Sequence, residues 1–168
     1  VNNFEKMVVK IASDFQIAAS AVYSSGAMPP QAEKETRYTV AWTLSNSTNT
    51  IINAEARAVL PIYVKWVGLA SGVSENISYN AATREVIWKI GSVKPNTGFS
   101  SVNREASFVI SLLPSSSQVG SVPQLIKEVS LVGQDSFAGN QIKSSSSAVS
   151  THLPNDPNYK TENERVVK

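Results

Sequence analysis

The chain of 168 residues is long enough for one domain with a substantial buried core. Its 15 basic and 13 acidic residues are spread without blocks, so a groove that follows a nucleic-acid backbone is not expected. Because cysteine is absent, disulfides, thiolate metal sites and a cysteine nucleophile are excluded. No apolar run has the length of a membrane span, so we expect no direct membrane insertion.

Short segments of alternating apolar and polar residues follow one another along the chain. Residues 7–23 are interpreted as mainly extended, although Phe4, Met7, Val8 and Ile11 also fit one face of a helical turn. Further strands are expected at 36–45, 52–60, 63–67, 106–112, 125–132 and 141–153, with a hairpin over 76–91. Turn signals separate these segments and no amphipathic helix lies between them, which predicts an all-β, antiparallel sandwich of about 7–9 strands.

Three tryptophans occupy these predicted strands. Trp42, Trp66 and Trp88 each stand two residues from another large apolar residue, and this spacing places them on a buried face. An exposed platform that stacks on carbohydrate is the alternative, and Trp66 is the one of the three that we expect to be partly exposed. The small side chains at 54, 56 and 58 predict a strand against which a bulky neighbour such as a tryptophan lies.

The domain organisation follows from where this alternation starts and stops. Residues 1–12 are interpreted as an N-terminal extension or linking strand, and residues 13–153 as the sandwich. Residues 154–168 lack apolar periodicity and are interpreted as a linker or an extended exit segment. We interpret the whole as one segment of a longer chain.

Catalytic chemistry finds little support in the sequence. His152 is the sole histidine, and no G-x-S-x-G motif is present that would mark a serine nucleophile. The glycines are isolated and form no phosphate-binding loop. We therefore predict no enzyme activity, no catalytic residue and no cofactor, and we interpret His152 as a surface residue at the end of a strand.

The polar segments offer two kinds of candidate binding or modification site. The tail carries ligands for an oxygen-coordinated ion such as calcium, through Asp156, Asn158, Glu162 and Glu164, and a solvated linker is the alternative interpretation. Asn46 and Asn76 each begin an N-glycosylation tripeptide in a predicted loop. Such tripeptides also arise by chance in a chain rich in asparagine and serine.

Three segments carry a family resemblance, and they occur in the same order as in that family. The strand Tyr38–Asn49, the segment 58–66 with Leu60 and Pro61, and the hairpin 77–91 resemble the Ig-like conserved-repeat domains of prokaryotic cell-surface proteins. The segments 134–139 and 153–157 resemble later parts of the long repeats of this type. The resemblance implies an Ig-like sandwich with Greek-key connections, displayed outside the cell and without enzymatic activity.

The function expected from this resemblance is that of a structural or interaction module. It would serve as a stalk, filament or adhesion repeat, with neighbouring repeats or identical subunits as its protein partners. The low charged fraction, 17% of residues, is common in such extracellular modules. Residues 1–12 are expected to pair with an exposed strand edge of a neighbour. The alternative is a sandwich module that binds carbohydrate or a protein ligand, so a glycan partner stays open.

Overall fold

The structure, a computed structural model, describes residues 9–70 and 74–168. Most of the N-terminal extension, including Phe4, Met7 and Val8 of the helical-turn alternative, lies outside the described residues. Short 3-10 turns cover Ser116–Gln118 and Thr161–Asn163. The strands are β1 (Phe15–Gly26), β2 (Thr36–Asn46), β3 (Ile51–Val59), β4 (Val64–Leu69), β5 (Ile77–Asn80), β6 (Glu85–Val93), β7 (Arg104–Leu112), β8 (Gln124–Ile126), β9 (Val129–Asp135), β10 (Gln141–Ser146) and β11 (Val149–Ser150).

Two antiparallel sheets form the body of the domain. One has the strand order β1-β2-β7-β4 and the other the order β10-β9-β3-β6-β5, while β8 and β11 form a separate small ribbon. The chain changes sheets between β2 and β3, between β3 and β4, and between β6 and β7, so the two sheets are built together. The predicted Ig-like antiparallel β-sandwich is confirmed.

The core lies between the two sheets and is built around the predicted tryptophan rows. Trp42 and Trp88 are fully buried, and the Trp42 ring meets Phe108 edge to face with centroids 5.2 Å apart. Ala56 on β3 is the register partner of Trp88 on β6, so the small side chain makes room for the indole. Trp66 is only partly buried, as expected, and stacks on Tyr79 with centroids 5.5 Å apart.

A charged pair completes the hydrogen bonding of the buried Trp88. The Trp88 indole N–H donates to Glu75 Oε2 at 3.0 Å, and the Arg104 guanidinium holds both oxygens of the same carboxylate at 2.8 and 2.6 Å. Burial by itself would raise the pKa of Glu75, but the hydrogen bonds from Arg104 and Trp88 outweigh it and hold the pKa below its usual range. The indole N–H of Trp88 and both oxygens of the Glu75 carboxylate are therefore paired.

Two predicted strands are each divided in the structure. The segment predicted at 125–132 contains β8 and the first part of β9, and the segment at 141–153 contains β10 and β11. Leu125 and Ile126 are both buried although they are adjacent, which a strand with one buried face does not allow. β8 ends after them and pairs with β11 outside the main sheet, and the Lys127 N–H then bonds to the Val59 carbonyl of β3 at 3.1 Å.

The fit between β3 and Trp88 generates a first prediction. Ala56→Leu adds a branched side chain where the indole already fills the space, and we expect the free energy of unfolding to fall by about 1–3 kcal/mol. Denaturant unfolding followed by tryptophan fluorescence measures it. Ser130→Leu adds the same side chain on the exposed face of the neighbouring strand and should change stability by less than about 0.5 kcal/mol. Equal effects at the two positions would contradict the packing argument.

Candidate interaction site

The chain runs through the sandwich from one end to the other. β1 begins beside the β2–β3 turn (47–50), the β6–β7 loop (94–103) and the β9–β10 turn (136–140), and we call this the entry end. The far ends of β1, β3 and β9 define the exit end. Val167 pairs there with Gln31, in the connection that follows β1. The described chain therefore enters and leaves at opposite ends.

Asp135 fastens the entry end together. Its Oδ2 accepts hydrogen bonds from the Ser13 N–H at 2.8 Å and from the Asn49 amide at 2.9 Å. Its Oδ1 accepts the N–H groups of Phe137 and Ala138, both at 2.9 Å. One buried carboxylate thus joins the segment before β1, the β2–β3 turn and the β9–β10 turn.

Asn46 extends this network on its other side. The side-chain amide donates to the backbone carbonyls of Asn49 and Lys94 at 2.8 and 2.9 Å, and its oxygen accepts the Ser13 hydroxyl at 2.8 Å. Asn46 is fully buried. A buried, hydrogen-bonded amide is closed to a glycan in the folded domain, so of the two predicted sequons only Asn76 is exposed.

The hydrogen bonds around Asp135 govern its ionisation. Burial alone would raise the pKa of the carboxyl, but the hydrogen bonds from Ala138, Asn49, Ser13 and Phe137 outweigh it and lower the pKa to about 2. Asp135 is consequently charged at neutral pH. The loops that it binds form a preorganised surface.

This fixed end carries apolar side chains. The Ile11 carbonyl accepts the Asn49 side-chain amide at 2.8 Å, and the Lys10 ammonium lies 5.5 Å from the centre of the Phe137 ring. Large apolar side chains exposed on this end and its loops are Val9, Ile11, Phe99, Val102 and Phe137. Exposed apolar groups on rigid loops are typical of a docking surface.

The C-terminal segment lies against β1 and the exit end. The Tyr23 N–H on β1 donates to Asp156 Oδ2 at 2.7 Å, and Asp156 is buried. Val166 is also buried and exchanges backbone hydrogen bonds with Gly120 and Ser121 at 2.8 and 3.0 Å. Residues 154–168, interpreted from the sequence as a linker or an extended exit segment, thus run along the domain before they reach its end.

His152 belongs to a cluster that holds this segment in place. Its Nδ1 lies 2.8 Å from Glu164 Oε2 and 2.7 Å from the Tyr159 hydroxyl, which donates to the same Glu164 oxygen at 2.6 Å. The hydrogen bonds from Tyr159 and His152 hold the pKa of Glu164 below its usual range. The cluster joins β11 to the tail.

A groove of about 300 Å³ lies beside this cluster, between β1, β10 and β11. Serine hydroxyls line it, from Ser20, Ser146, Ser147 and Ser150, together with His152. Among the described residues no serine hydroxyl is hydrogen-bonded to the His152 ring. The groove therefore lacks the nucleophile–base contact of a serine hydrolase.

The predicted calcium ligands of the tail are not gathered around one point. Asp156 binds the N–H groups of Tyr23 and Asn158, whereas Glu164 faces Tyr159 and His152. Across residues 9–70 and 74–168, no group of three histidine or acidic side chains is placed to hold a metal ion. The same part of the chain contains no helix long and apolar enough to cross a membrane.

The sequence pattern did not predict the network at the entry end. Asn46, Asn49 and Asp135 lie in predicted turns, where polar residues are ordinary, and Ser13 lies in the segment predicted to be extended. Ser13 and Asp135 are 122 residues apart, so no local pattern joins them. One signal was present at the tail, because the adjacent Val166 and Val167 form an apolar pair in an otherwise polar segment.

Solved structures with a similar fold include two bacterial major pilins. A variant of BcpA, the major pilin subunit of Bacillus cereus, aligns with a TM-score of 0.52 at 11% identity, over 82% of this chain and 40% of that chain. The full-length major pilin SpaD from Corynebacterium diphtheriae aligns with a TM-score of 0.51 at 9% identity, over 80% of this chain and 34% of that one. The chain therefore spans less than half of the length of these pilins.

The likeness defines the class of fold, an Ig-like β-sandwich of the kind present in these pilins. No protein-family model matches the sequence, and no curated protein matches it. At identities of 11% and 9% the shared property is the fold.

A second prediction concerns Asp135 and acid. Its folded-state pKa of about 2 lies below the ordinary value of 3.8, so its stabilising contribution is present above pH 4 and is lost as the pH falls toward 2. Asp135→Asn should destabilise the domain at neutral pH by about 1–3 kcal/mol for each buried N–H left without an acceptor. The difference from the unmodified chain should shrink between pH 4 and pH 2 in denaturant titrations. Asp14→Asn, at an exposed neighbouring site, is the control, and a pH-independent difference would refute the assignment.

A third prediction concerns the contact between the tail and β1. Asp156→Ala removes the acceptor of the Tyr23 N–H, and amide exchange at Tyr23 should accelerate by about tenfold or more. Hydrogen–deuterium exchange read by NMR measures it residue by residue. Glu162→Ala changes an exposed carboxylate of the same segment and should leave Tyr23 unaffected. Unchanged exchange in Asp156→Ala would show that the strand edge is protected by something else.

Proposed function

We propose that this domain is a non-enzymatic structural or interaction module of an extracellular surface protein, serving as a stalk, filament or adhesion repeat. One observation carries the proposal: the described chain enters at one end of the sandwich and leaves at the other, and hydrogen bonds fasten it at both ends. Modules connected in this way stack along one axis. A pulling force is then carried through the long strands instead of across a loop.

The hydrogen bonds at the two ends are consistent with a module that carries mechanical force along its long axis. At the entry end Asp135 holds the segment before β1, and at the exit end Val166 and Val167 are held by backbone hydrogen bonds. β1 itself pairs with β2 in antiparallel register from Phe15 to Gly26, with one irregularity between Tyr23 and Ser25. Force applied at the two ends is thus spread over many hydrogen bonds in parallel, none of which is strong alone.

The fold comparisons support the same class of function. Two of the solved proteins with this fold are major pilins. The resemblance to Ig-like conserved-repeat domains of prokaryotic surface proteins points to the same location. The fold likeness and the sequence resemblance both support a repeated structural building block without enzymatic activity.

Assembly by β-strand addition is part of the proposal. β4 and β5 are edge strands, and such edges offer unpaired backbone groups to another chain. Val67 and Leu69 leave apolar surface on β4. Residues 1–12 of a neighbour supply the added segment, since Val8, Val9 and Ile11 have the composition of a strand.

The fourth prediction is the geometry of the assembly. Contacts between opposite ends do not close, so the intact chain at high concentration should form unbranched rods that lengthen one subunit at a time. Their axial repeat should be about 40 Å, the length of the 12-residue β1 at about 3.3 Å per residue. Negative-stain electron microscopy measures it. Deleting residues 1–12 should return the protein to monomers, whereas Lys143→Glu, on the exposed side of β10, should not. Closed side-by-side dimers would contradict the proposal.

A further inference from the structure

A largely apolar pocket lies at the exit end. Its volume is about 380 Å³, and it opens between the β3–β4 turn and the residue that follows β8. The lining includes Val59, Pro61, Ile62, Tyr63 and Lys127. Ile62 at its rim is 84% exposed. We call this cavity the exit pocket.

The walls of the exit pocket are fixed in the free protein. The Arg84 guanidinium donates to the carbonyls of Leu60, Pro61 and Val64, which pins the β3–β4 turn. The Lys127 N–H is bound to the Val59 carbonyl on the opposite wall at 3.1 Å. A pocket formed in advance does not have to be ordered when it binds, so more of the contact energy remains for affinity.

The N-terminal segment supplies a side chain of matching chemistry. Phe4 is its one aromatic residue, and Glu5 follows it directly. Lys127 lines the pocket and is exposed, and within the described residues it forms no ion pair. The pocket therefore offers an apolar cavity beside an available ammonium group, and the segment offers a phenyl ring beside a carboxylate.

The length of chain between Phe4 and the sandwich decides which copy the segment reaches. The Ile11 carbonyl is held at the entry end by Asn49. Seven residues separate Phe4 from Ile11, which fully extended cover about 24 Å at most. The nine residues of β3 span about 26 Å between the two ends, and Val59, the last of them, lines the pocket. Phe4 would reach the exit pocket of its own copy only with the whole segment fully extended along the sandwich, which favours the pocket of a second copy.

We propose that Phe4 of one copy docks in the exit pocket of a second copy, with Glu5 paired to Lys127. This inference rests on the proposed end-to-end assembly and names the contact that holds it. The pocket adjoins the first residues of β4, so the same segment is in place to add along the β4 edge. The contact joins unlike surfaces, and it therefore propagates in one direction.

The absence of native cysteine permits a direct test in the full chain. A Glu5→Cys variant, which keeps Phe4, is mixed with a Lys127→Cys variant under mild oxidation, and a disulfide-linked heterodimer is expected. Lys143→Cys, on the exposed side of β10, is the matched control and should not cross-link to Glu5→Cys above background. Equal cross-linking to both lysine positions would overturn the proposal. A rapid intramolecular bridge in a chain carrying both Glu5→Cys and Lys127→Cys would overturn it as well.

Charge reversal tests the pairing without cysteines. By sedimentation velocity, Phe4→Ser should weaken self-association by at least about tenfold, as expected for a buried aromatic anchor. Glu5→Lys and Lys127→Glu should each weaken it severalfold, and the two changes combined in one chain should restore it. If rods form but respond to none of these changes, the exit-pocket contact is wrong while the proposed function stands. If the unmodified chain stays monomeric at every concentration, the proposed assembly fails too.

Discussion

The buried carboxylate of Asp135 is the interaction on which the rest of the entry end depends. Four donors from three separate segments converge on it, and they outweigh the burial that would otherwise raise its pKa. Because a carboxylate cannot donate, every donor must point inward, which fixes the loops that carry Phe137 and Ile11. Exposed apolar side chains on flexible loops would pack against one another, whereas here the hydrogen bonds to Asp135 fix the loops that carry them.

The two ends solve different physical problems. The entry end orders its loops around charge, while the exit end relies on backbone pairing of Val166 and Val167 and on the Arg84 contacts that hold the β3–β4 turn. Because the two ends differ, a contact between the entry end of one copy and the exit end of another is head-to-tail and does not close into a dimer. Such contacts build open, head-to-tail arrays, and this agrees with the proposed stalk or filament role.

The architecture could be predicted from sequence because its strongest determinants are local. The alternation of apolar and polar residues predicted that Trp42, Trp88 and Phe108 face the core, where all three are buried. The alanines of β3 predicted a bulky neighbour, and Ala56 is the register partner of Trp88. The adjacent apolar residues Leu125 and Ile126 are a local sign of the end of β8, but the sequence pattern over residues 125–132 is interpreted as one strand. The hub at Asp135 was not predictable in this way, since its partners lie far apart in the chain and its neighbours are common turn residues.

The same contrast explains why a functional surface was hard to find beforehand. An exposed binding platform was the alternative interpretation of the tryptophans, but Trp42 and Trp88 are buried in the core and Trp66 stacks on Tyr79. The proposed binding residues Ile62 and Lys127 lie in a turn and after a short strand, where the alternation of apolar and polar residues gives no signal. Their positions are fixed by the Arg84 hydrogen bonds to the β3–β4 turn and by the hydrogen bond from the Lys127 N–H to Val59 after β8. The proposed binding residues therefore lie in the turns at the ends of the sheets, whereas the apolar alternation in the sequence predicts only the core between the two sheets.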